Sequence, residues 1–437
     1  MTPVNNPAHV AVIGGGICGL AAAHRLAHRG TRVTLLESSD QLGGLGTFFA
    51  HGDRWVERFY HCIMPSDASL LELLGELGLR DAVRWRDTTM GMVVDGRRHP
   101  FNSPLDLLRF SPLRLPDRVR FGVVSLLLRR LGQGRDLDTL RTEDWLRGLY
   151  GDVVWERLFA PMFGSKFGPS FGDVPALYLW QRLGRERNVA TRGYPDGGYK
   201  TVIDALRTSI EEAGGTVRTE TPVRRLHSTG GRSVLTLTGG EVLDADHVVS
   251  TVPLPLLRRI ADDALAARLP TTDLPYQGVV TGVFFLRQPV TEHYWTPVLH
   301  SGTEFDGVVA MSALAGPHDG CHLVYVMHYT DRDSQLYLDD DAAIAARWSA
   351  QLRGLYPELA PDDIAEVRVF KAPFVEPVYP LGYLAARPPV TVDGTNLLLA
   401  TTAHVYPDVT SWNSSVALAN DVVAALADQP VVAGSAR

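Results

Sequence analysis

The chain has 437 residues, of which 45% are hydrophobic and 21% charged, and its formal net charge is −7. The length suits two or three domains, the composition is that of an ordinary globular protein, and the negative charge argues against nucleic acid as the main partner. Three widely spaced cysteines indicate neither a disulfide framework nor a metal site, and the lack of a signal-peptide pattern or a bilayer-spanning apolar run predicts a cytoplasmic protein.

Residues 9–19 predict a strand that breaks sharply into a helix. An apolar run is followed by Gly14, Gly16 and Gly19, in the G-x-G-x-x-G pattern of dinucleotide-binding folds. In that pattern one glycine permits the tight turn, the next lets the backbone approach a pyrophosphate, and the third lets the helix pack closely on the strand. The helix N-terminus then faces the phosphate charge. The stretch therefore predicts a bound dinucleotide.

Two further features strengthen this prediction. A second strand, residues 31–36, ends at Glu37, an acid about 20 residues beyond the glycines, where a ribose hydroxyl needs an acceptor. Gly43 and Gly44 follow and are placed to approach the same pyrophosphate. NAD as the sole cofactor would account for residues 1–40, but not for this glycine pair.

Helical and strand-like patterns alternate along the rest of the chain, and no internal repeat is visible. Residues 66–190 indicate a mostly helical region that prolines divide into short helices. Residues 274–370 alternate in the manner of strands, with one helical stretch. Between these regions the pattern predicts a helix at 201–214, strands near 216 and 222, a hairpin that turns at Gly239-Gly240, and a strand at 246–251; a strand at 396–401 and a helix at 411–426 close the chain.

Four separated features of the chain carry a resemblance to a known family. They are GGGICGL with Glu37 and LGG; the block VERFYH at 56–61; the segment GYPDGGYKTVIDAL, running on to Val223; and the tail NLLLATTAHVYPDVTSWNSSVAL. In this combination and order the chain resembles the FAD-dependent amine oxidase superfamily. Within it, the chain is most similar to the branch of protoporphyrinogen oxidases and phytoene desaturases.

The resemblance implies an α/β fold with two discontinuous parts. A doubly wound, Rossmann-like FAD-binding domain of the glutathione reductase type is expected at residues 1–65, 195–265 and 375–437. An α+β substrate-binding domain with a helical insertion is expected at residues 66–194 and 266–374. The active site would then lie between the two domains.

The resemblance also implies which residues hold a non-covalent FAD. Its pyrophosphate would contact Gly14, Gly16, Gly19, Gly43 and Gly44, its adenosine ribose Glu37, and its adenine the backbone of Val223. Where the family usually carries Gly-Asp, this chain has Ala400-Thr401, so Thr401 takes the pyrophosphate–ribityl position. The helix that follows would direct its N-terminus, at Trp412 and Asn413, to the flavin N1–C2=O edge, where a helix dipole favours negative charge.

Glu57, Tyr60 and His61 are the candidates for catalysis, because the resemblance brings their segment toward the isoalloxazine ring. Glu57 could anchor a cationic amine or accept a proton, and His61 could act as an acid or base, since an apolar pocket can shift such pKa values toward neutrality. The alternative is a structural pair of this glutamate with an arginine and a packed histidine. Lys166, one of only three lysines, is expected to order its loop or to meet a substrate anion.

Residues 97–135 interleave many arginines with leucine, valine and phenylalanine. A surface of this kind can lie on an anionic membrane or cover a lipophilic or phosphorylated substrate. The interpretation that we favour from sequence is a solvated arginine face on a core helix, so peripheral membrane contact is not expected.

The leading functional hypothesis is an FAD-dependent oxidase or dehydrogenase that acts on a small molecule. It would break a C–H bond next to nitrogen or in a saturated ring, forming a C–N or C–C double bond, with the hydride passing to flavin N5. A UDP-galactopyranose-mutase-like isomerase that uses reduced FAD is the second hypothesis. A non-catalytic flavin-binding protein is the third, suggested by Ala400-Thr401. No second G-x-G-x-x-G of comparable quality occurs, so electrons would leave through oxygen or a partner.

Overall fold

The computed structural model describes residues 8–168, 171–185, 190–272 and 274–427. Within these residues the β structure comprises a five-stranded parallel sheet, a seven-stranded sheet, a three-stranded sheet and two two-stranded pairs. The two large sheets pack in separate hydrophobic clusters. The candidate site lies where the elements around one sheet contact those around the other.

The five-stranded sheet is the nucleotide-binding unit that the N-terminal pattern predicts. In spatial order its strands are Leu397–Leu399, His247–Ser250, His9–Ile13, Arg32–Leu36 and Thr216–Arg218. Every neighbouring pair is parallel. The strands are short, nearly continuous apolar runs because both faces of a parallel sheet are covered.

Helices cover one face of this sheet and a small sheet covers the other. Val10 and Val12 share a buried cluster with the helices Ile17–His28, Tyr199–Glu212 and Trp412–Ala427. The opposite face packs in a second cluster against a three-stranded antiparallel sheet. Its strands are Val223–Ser228, Ser233–Leu237 and Val242–Ala245, which include the predicted hairpin. The layering confirms the predicted α/β class.

The seven-stranded sheet is built mainly from the second half of the chain. In order its strands are Ile364–Pro377, Tyr276–Leu286, His322–Thr330, Gly307–Ala310, Trp295–Leu299, Gly91–Val94 and Arg97–Pro100. One face buries Trp348 and its neighbours from the helix Asp341–Leu355. The other face packs against the hairpin of Phe48–His51 and Arg54–Glu57.

The region predicted as mostly helical also contains three strands. Val83–Asp87 pairs with Thr191–Pro195, and Gly91–Val94 pairs with both Arg97–Pro100 and Trp295–Leu299. The sequence pattern did not reveal these strands, because four or five residues are too few for a clear period and two of their partners lie far along the chain.

The helical insertion and the shorter helices complete the chain. The helices not yet given are Ala68–Glu76, Pro104–Arg109, Leu115–Gly132, Thr142–Tyr150, Asp152–Val154, Ala160–Phe167, Ala176–Arg185, Leu254–Ile260, Asp263–Ala266, Ser312–Ala315, Gln335–Leu338 and Tyr383–Ala386, with a π-helical turn at Trp155–Phe159. Short 3₁₀ turns lie at Gly44–Gly46, Arg80–Ala82, Phe171–Asp173, Pro361–Asp363 and Thr402–His404. Among the described residues, none of these helices is long and apolar enough to cross a membrane.

The predicted domain boundaries stay a prediction. The strands of the five-stranded sheet fall within the segments expected for the FAD-binding domain. The strand Ile364–Pro377 of the seven-stranded sheet begins in the segment expected for the substrate-binding domain. It extends past residue 375, where the FAD-binding domain was expected to resume.

Residues 97–135 include a core-packed helix with exposed arginines, as we expected, but the structure adds an exposed apolar side that we did not expect. The helix Leu115–Gly132 does bury Leu128 and pack Phe121 and Val124 against the core. Its opposite side, however, is also apolar and faces solvent, since Val119 and Val123 are each 51% exposed. The helix thus has two apolar sides. One packs against the core, and the other faces solvent.

Candidate active site

The loop between the first strand and the first helix is shaped by glycines. Gly14 has a φ of +105°, and a Cβ there would lie 2.5 Å from Thr251 Oγ1. A Cβ on Gly19 would lie 2.0 Å from the Gly14 carbonyl oxygen. Side chains at these two positions would therefore push the helix away from the strand. The close approach is the one that the third glycine of the motif provides.

The second glycine pair folds onto this loop. The Gly43 amide donates to the Gly15 carbonyl at 2.8 Å, and a Cβ on Gly44 would lie 3.2 Å from Gly16 Cα. Gly43 and Gly44 have φ angles of +116° and +59°, which side chains disfavour. The two loops form one surface of bare backbone at the N-terminus of Ile17–His28. A pyrophosphate fits such a cradle because main-chain amides and the helix dipole attract its charge.

Glu37 lies at the end of the second strand beside this cradle. Its carboxylate accepts hydrogen bonds from the Gly15 amide at 2.7 Å and the Ser39 amide at 2.8 Å. The Thr221 amide donates to the Glu37 carbonyl at 2.8 Å. This bond brings Val223, two residues further on, near the predicted adenosine position.

Thr401 follows the strand Leu397–Leu399 at the same carboxyl edge of the sheet. It is buried, and its hydroxyl accepts a hydrogen bond from the Ala403 amide at 3.3 Å. The Cys18 thiol lies 3.7 Å from the Ala400 carbonyl, which joins the first helix to this edge. The structure thus places Thr401 beside the cradle, with a hydroxyl where the family usually has a carboxylate.

Trp412 and Asn413 begin the closing helix. The Trp412 ring packs on Gly46, where a Cβ would lie 2.4 Å from Cζ2, and its centroid is 5.8 Å from that of His61. Asn413 Oδ1 accepts a hydrogen bond from the Leu70 amide at 3.1 Å. The helix N-terminus therefore lies between the glycine loops and the segment with the candidate catalytic residues.

Glu57 ends the hairpin and is only 3% exposed. Its carboxylate accepts from the Tyr194 hydroxyl at 2.7 and 2.9 Å and from the Tyr199 amide at 2.8 Å. Its carbonyl accepts from the Tyr325 hydroxyl at 2.7 Å. Tyr199 begins a helix of the nucleotide-binding unit, and Tyr325 lies in the seven-stranded sheet. Glu57 consequently ties the two units together.

The expected alternative of a glutamate–arginine pair is not what the structure shows. Arg58 instead lies over the ring of Phe370, with 5.6 Å from its guanidinium carbon to the centroid. Glu57 caps a helix, and Gly198 makes room for it, since a Cβ there would lie 2.6 Å from Oε1. Burial raises the pKa of Glu57, although the bonds from Tyr194 and the backbone oppose the shift.

The rings of Tyr60 and His61 contact different parts of the molecule. The Tyr60 ring is stacked near Trp295 of the seven-stranded sheet, with 6.2 Å between centroids. The His61 ring lies 5.3 Å from Tyr199 and 5.8 Å from Trp412, both of the nucleotide-binding unit. Tyr60 and His61 therefore lie where the nucleotide-binding unit meets the seven-stranded sheet, with Tyr60 toward the sheet and His61 toward the unit. We call this place the junction.

Burial shifts the pKa values of His61 and Tyr60 so that neither side chain titrates near pH 7. It lowers the pKa of His61 to about 4, although the hydrogen bond between Nδ1 and the Phe59 carbonyl (2.9 Å) favours the charged form. The imidazole is therefore neutral at pH 7, with Nδ1–H donating and Nε2 left as an acceptor. Burial likewise raises the pKa of Tyr60, which stays a phenol. Our expectation that the pocket shifts the histidine pKa toward neutrality is wrong for this residue.

Lys166 lies in the last turn of the helix Ala160–Phe167 rather than in a loop. Its Nζ is 3.2 Å from Glu376 Oε2 and 5.0 Å from the centroid of Tyr329. The Tyr178 hydroxyl donates to the other oxygen of Glu376, which is 3% exposed on its side chain. Burial lowers the pKa of Lys166, and Glu376 counteracts this. The lysine thus forms a mostly buried ion pair.

A cavity of about 550 Å³ leads toward this pair. Its wall includes Tyr329, whose ring centroid lies 5.0 Å from Lys166 Nζ. The rest of the wall is formed by Glu143, Trp155, Ala160, Gly164, Ser165, Gly168, Phe171, Gly172, Gln277, His328, Thr330 and Asp331. Cavity, tyrosines and ion pair therefore form one connected region beside the junction.

Sequence reasoning missed most partners of the candidate residues. Tyr194 and Tyr199 flank the Asp-Gly-Gly of a segment that carries the family resemblance, and the sequence does not show that they bond to Glu57. Tyr325, Trp295 and Glu376 lie in strands of ordinary pattern, and nothing local indicates that they meet Glu57, Tyr60 and Lys166.

Comparison with known proteins places this geometry in a family. The family model for flavin containing amine oxidoreductases matches residues 17–409. The 15-cis-phytoene desaturase of Capsicum annuum is 24% identical over 276 residues, covering 58% of this chain and 47% of that protein. Coproporphyrinogen III oxidase of Propionibacterium freudenreichii is 31% identical over 183 residues, covering 38% and 33%. The chain spans about half the length, or less, of these curated relatives.

Solved structures share the fold. A protein assigned as a protoporphyrinogen oxidase from Exiguobacterium sp. 255-15 superposes with a TM-score of 0.78 at 19% identity, covering 96% of this chain and 99% of the other. A reduced UDP-galactopyranose mutase superposes with a TM-score of 0.72 at 16% identity, covering 97% and 96%. The family match confirms the predicted FAD, which the glycine cradle fits, while the fold is common to oxidases and a mutase.

Proposed function

The chain belongs to the flavin containing amine oxidoreductase family, and we propose that it is an FAD-dependent oxidase or dehydrogenase of a small molecule. The substrate would lose a hydride from a carbon next to nitrogen or within a saturated carbon skeleton, and a proton from the adjacent nitrogen or carbon would pass to solvent. The observation that carries the proposal is the position of Tyr60 and His61, which join the nucleotide-binding unit to an aromatic, cavity-bearing sheet.

When bound, FAD supplies a two-electron acceptor for the hydride. The residues expected to hold it are those of the cradle, with Glu37 at the ribose and Trp412 and Asn413 at the start of the helix that faces the ring. Thr401 completes this set at the sheet edge. The bond is proposed to be non-covalent, since the three cysteines are Cys18, Cys62 and Cys321 and none lies in the C-terminal part.

The chain's own residues orient the substrate and exclude water. The partly exposed rings of Tyr60 and Trp295, with the buried Tyr325 behind Tyr60, favour an apolar or ring-shaped substrate part. His61 is neutral with Nδ1 bonded to the Phe59 carbonyl, so its Nε2 offers an acceptor to a substrate donor rather than delivering a proton. Glu57 is fully occupied by hydrogen bonds, and we assign it a positioning role: it holds the segment with Tyr60 and His61 in place.

The Lys166–Glu376 pair is a buried charged feature of the region. Lys166 Nζ lies 5.0 Å from the ring centroid of Tyr329, and both residues are electrostatic neighbours of Tyr60. A substrate polar group that reaches Tyr329 would interact with this pair. The relatives act, by their names, on phytoene and coproporphyrinogen III. Polyenes, porphyrinogens and amines are therefore the classes to test first.

Anaerobic mixing of the FAD-loaded protein with each substrate class tests the proposal. Bleaching of the oxidised flavin spectrum, with one substrate molecule oxidised for each flavin reduced, is the expected result. Subsequent mixing with oxygen distinguishes an oxidase, which reoxidises rapidly with peroxide release, from a dehydrogenase. If only the reduced protein converts a nucleotide sugar, without net electron consumption, the function is that of a mutase and the proposal fails.

A further inference from the structure

The surface formed by the helices Pro104–Arg109 and Leu115–Gly132 is unusually apolar. We call it the insertion surface. Its exposed side chains are Leu105 (52%), Leu108 (49%), Leu115 (59%), Val119 (51%), Val123 (51%), Leu126 (71%) and Leu127 (40%). The two helices are adjacent, since a Cβ on Gly122 would lie 3.2 Å from Leu107 Cδ2. Half of the exposed large hydrophobic residues in the described chain lie within this one short segment.

The spacing of these residues shows that the exposure is organised. Leu115, Val119, Val123 and Leu127 follow one another at intervals of four and cover roughly a third of the helix circumference. The opposite side of the same helix packs Phe121 against the core. An apolar patch of this extent on a protein surface marks an interaction site.

Arginines surround the apolar stripe. Residues 97–135 contain nine arginines and two aspartates, in a chain whose net charge is −7. Arg109, Arg114 and Arg130 are exposed, and within the described part of the chain they form no ion pair. The surface therefore combines apolar side chains with unneutralised positive charge.

We propose that the insertion surface docks the protein on an anionic lipid bilayer. Arginine guanidinium groups pair with phosphate headgroups, while leucine and valine side chains enter the boundary between headgroups and acyl chains. Charge distinguishes this occupant from a second copy of the chain, because a two-fold contact would bring the same arginines face to face. None of the described helices is long and apolar enough to span a bilayer. The proposal places the two helices of the insertion surface in the plane of the bilayer.

Docking would also orient the rest of the molecule. Arg129 of the long helix lines a second cavity, of about 500 Å³, together with Asp408 and Asn413 near the start of the closing helix. A bilayer beneath the insertion surface would lie beside this cavity. Lipid contact thus goes beyond the proposed oxidation, which does not require it.

Flotation of the FAD-loaded protein with vesicles tests the proposal. The protein is expected to float with vesicles of phosphatidylcholine mixed with phosphatidylglycerol at low salt, and to float poorly with phosphatidylcholine alone or at high salt. A Val119→Asp/Val123→Asp variant should lose roughly tenfold or more in binding, as should an Arg114→Gln/Arg130→Gln variant.

Matched controls change equally exposed residues elsewhere. Val242→Asp and Leu338→Asp alter side chains that are 57% and 67% exposed outside the insertion surface, and both should bind vesicles as the wild type does. Flavin content confirms that each variant is folded. No flotation of the wild type with anionic vesicles, or equal flotation of all variants, overturns the proposal. So does a wild-type dimer that the valine variant dissociates, since a second copy then covers the surface.

Discussion

The glycine cradle presents main-chain groups to its ligand, whereas Tyr60 and His61 are surrounded by side chains from the seven-stranded sheet and from helices of the nucleotide-binding unit. In the cradle, Gly19 approaches the backbone of Gly14 so closely that no side chain fits. Around Tyr60, every partner is a side chain whose shape and charge can be altered without moving the backbone. Substitutions that add side-chain volume should therefore disturb the cradle most, and substitutions that alter charge should disturb the junction most.

The largest effect is expected from a side chain placed in the cradle. Gly19→Ala would put Cβ 2.0 Å from the Gly14 carbonyl, so the helix must shift, at a cost of about 3 kcal/mol or more in unfolding free energy. The purified variant should lack flavin absorbance and melt at a lower temperature. Gly75→Ala, with nothing within 4 Å of its Cβ, is the control and should stabilise its helix by about 0.5 kcal/mol. Full flavin content in Gly19→Ala would contradict the close packing.

A broken ion pair at the junction should rank second. Lys166→Met leaves the buried Glu376 carboxylate without its lysine and should destabilise the protein by roughly 3 kcal/mol in urea unfolding. The double variant Lys166→Met/Glu376→Gln removes both charges and should regain most of that loss. If the double variant is no more stable than the single one, the pair does not act as a charge-compensated unit.

Removal of the cradle's acid should weaken cofactor binding more than folding. Glu37→Ala removes the acceptor of the Gly15 and Ser39 amides and the proposed ribose contact, so FAD should bind roughly tenfold more weakly. Fluorescence titration of the apoprotein with FAD measures this. Glu37→Gln keeps an acceptor oxygen and should lose less. Unchanged FAD retention in Glu37→Ala would count against the ribose assignment.

The smallest effect concerns pH. Burial raises the pKa of Glu57 above its ordinary 4.5, so its stabilisation is fully present below that pH and is lost as pH rises through the folded pKa. Glu57→Gln should flatten this slope, so that the stability of the variant falls less than that of the wild type as pH rises. Urea unfolding from about pH 5 to pH 8 measures the slope. The exposed Glu72→Gln should keep the wild-type profile; an unchanged slope in Glu57→Gln would show that Glu57 does not titrate in this way.

The sequence predicted the cradle well because its requirements are local. Tight turns and close backbone approach can be met only by glycine, so Gly14, Gly19 and Gly43 are visible as letters in the chain. The parallel α/β class of the sheet follows from the same pattern, since a glycine turn between a buried strand and a helix belongs to such a sheet. The roles of these residues toward FAD stay predictions.

The sequence predicted only part of the junction. VERFYH marked the segment of Glu57, Tyr60 and His61, but the sequence could not show that Glu57 bonds to Tyr194 and Tyr199 rather than to an arginine. Nor could it show that burial keeps His61 neutral. Both depend on residues more than a hundred positions away or on the depth of burial, which no local pattern encodes.

The amino-acid sequence by itself determined the nucleotide-binding sheet, its glycine loops and the family, because turn geometry and apolar periodicity act between neighbours in the chain. Only the tertiary structure decided which side chains surround Tyr60 and which side of the helix Leu115–Gly132 faces solvent. Periodicity shows that this helix has apolar sides, but burial depends on which neighbour arrives to cover each of them. Contacts between distant segments are chosen by the packing of the whole chain.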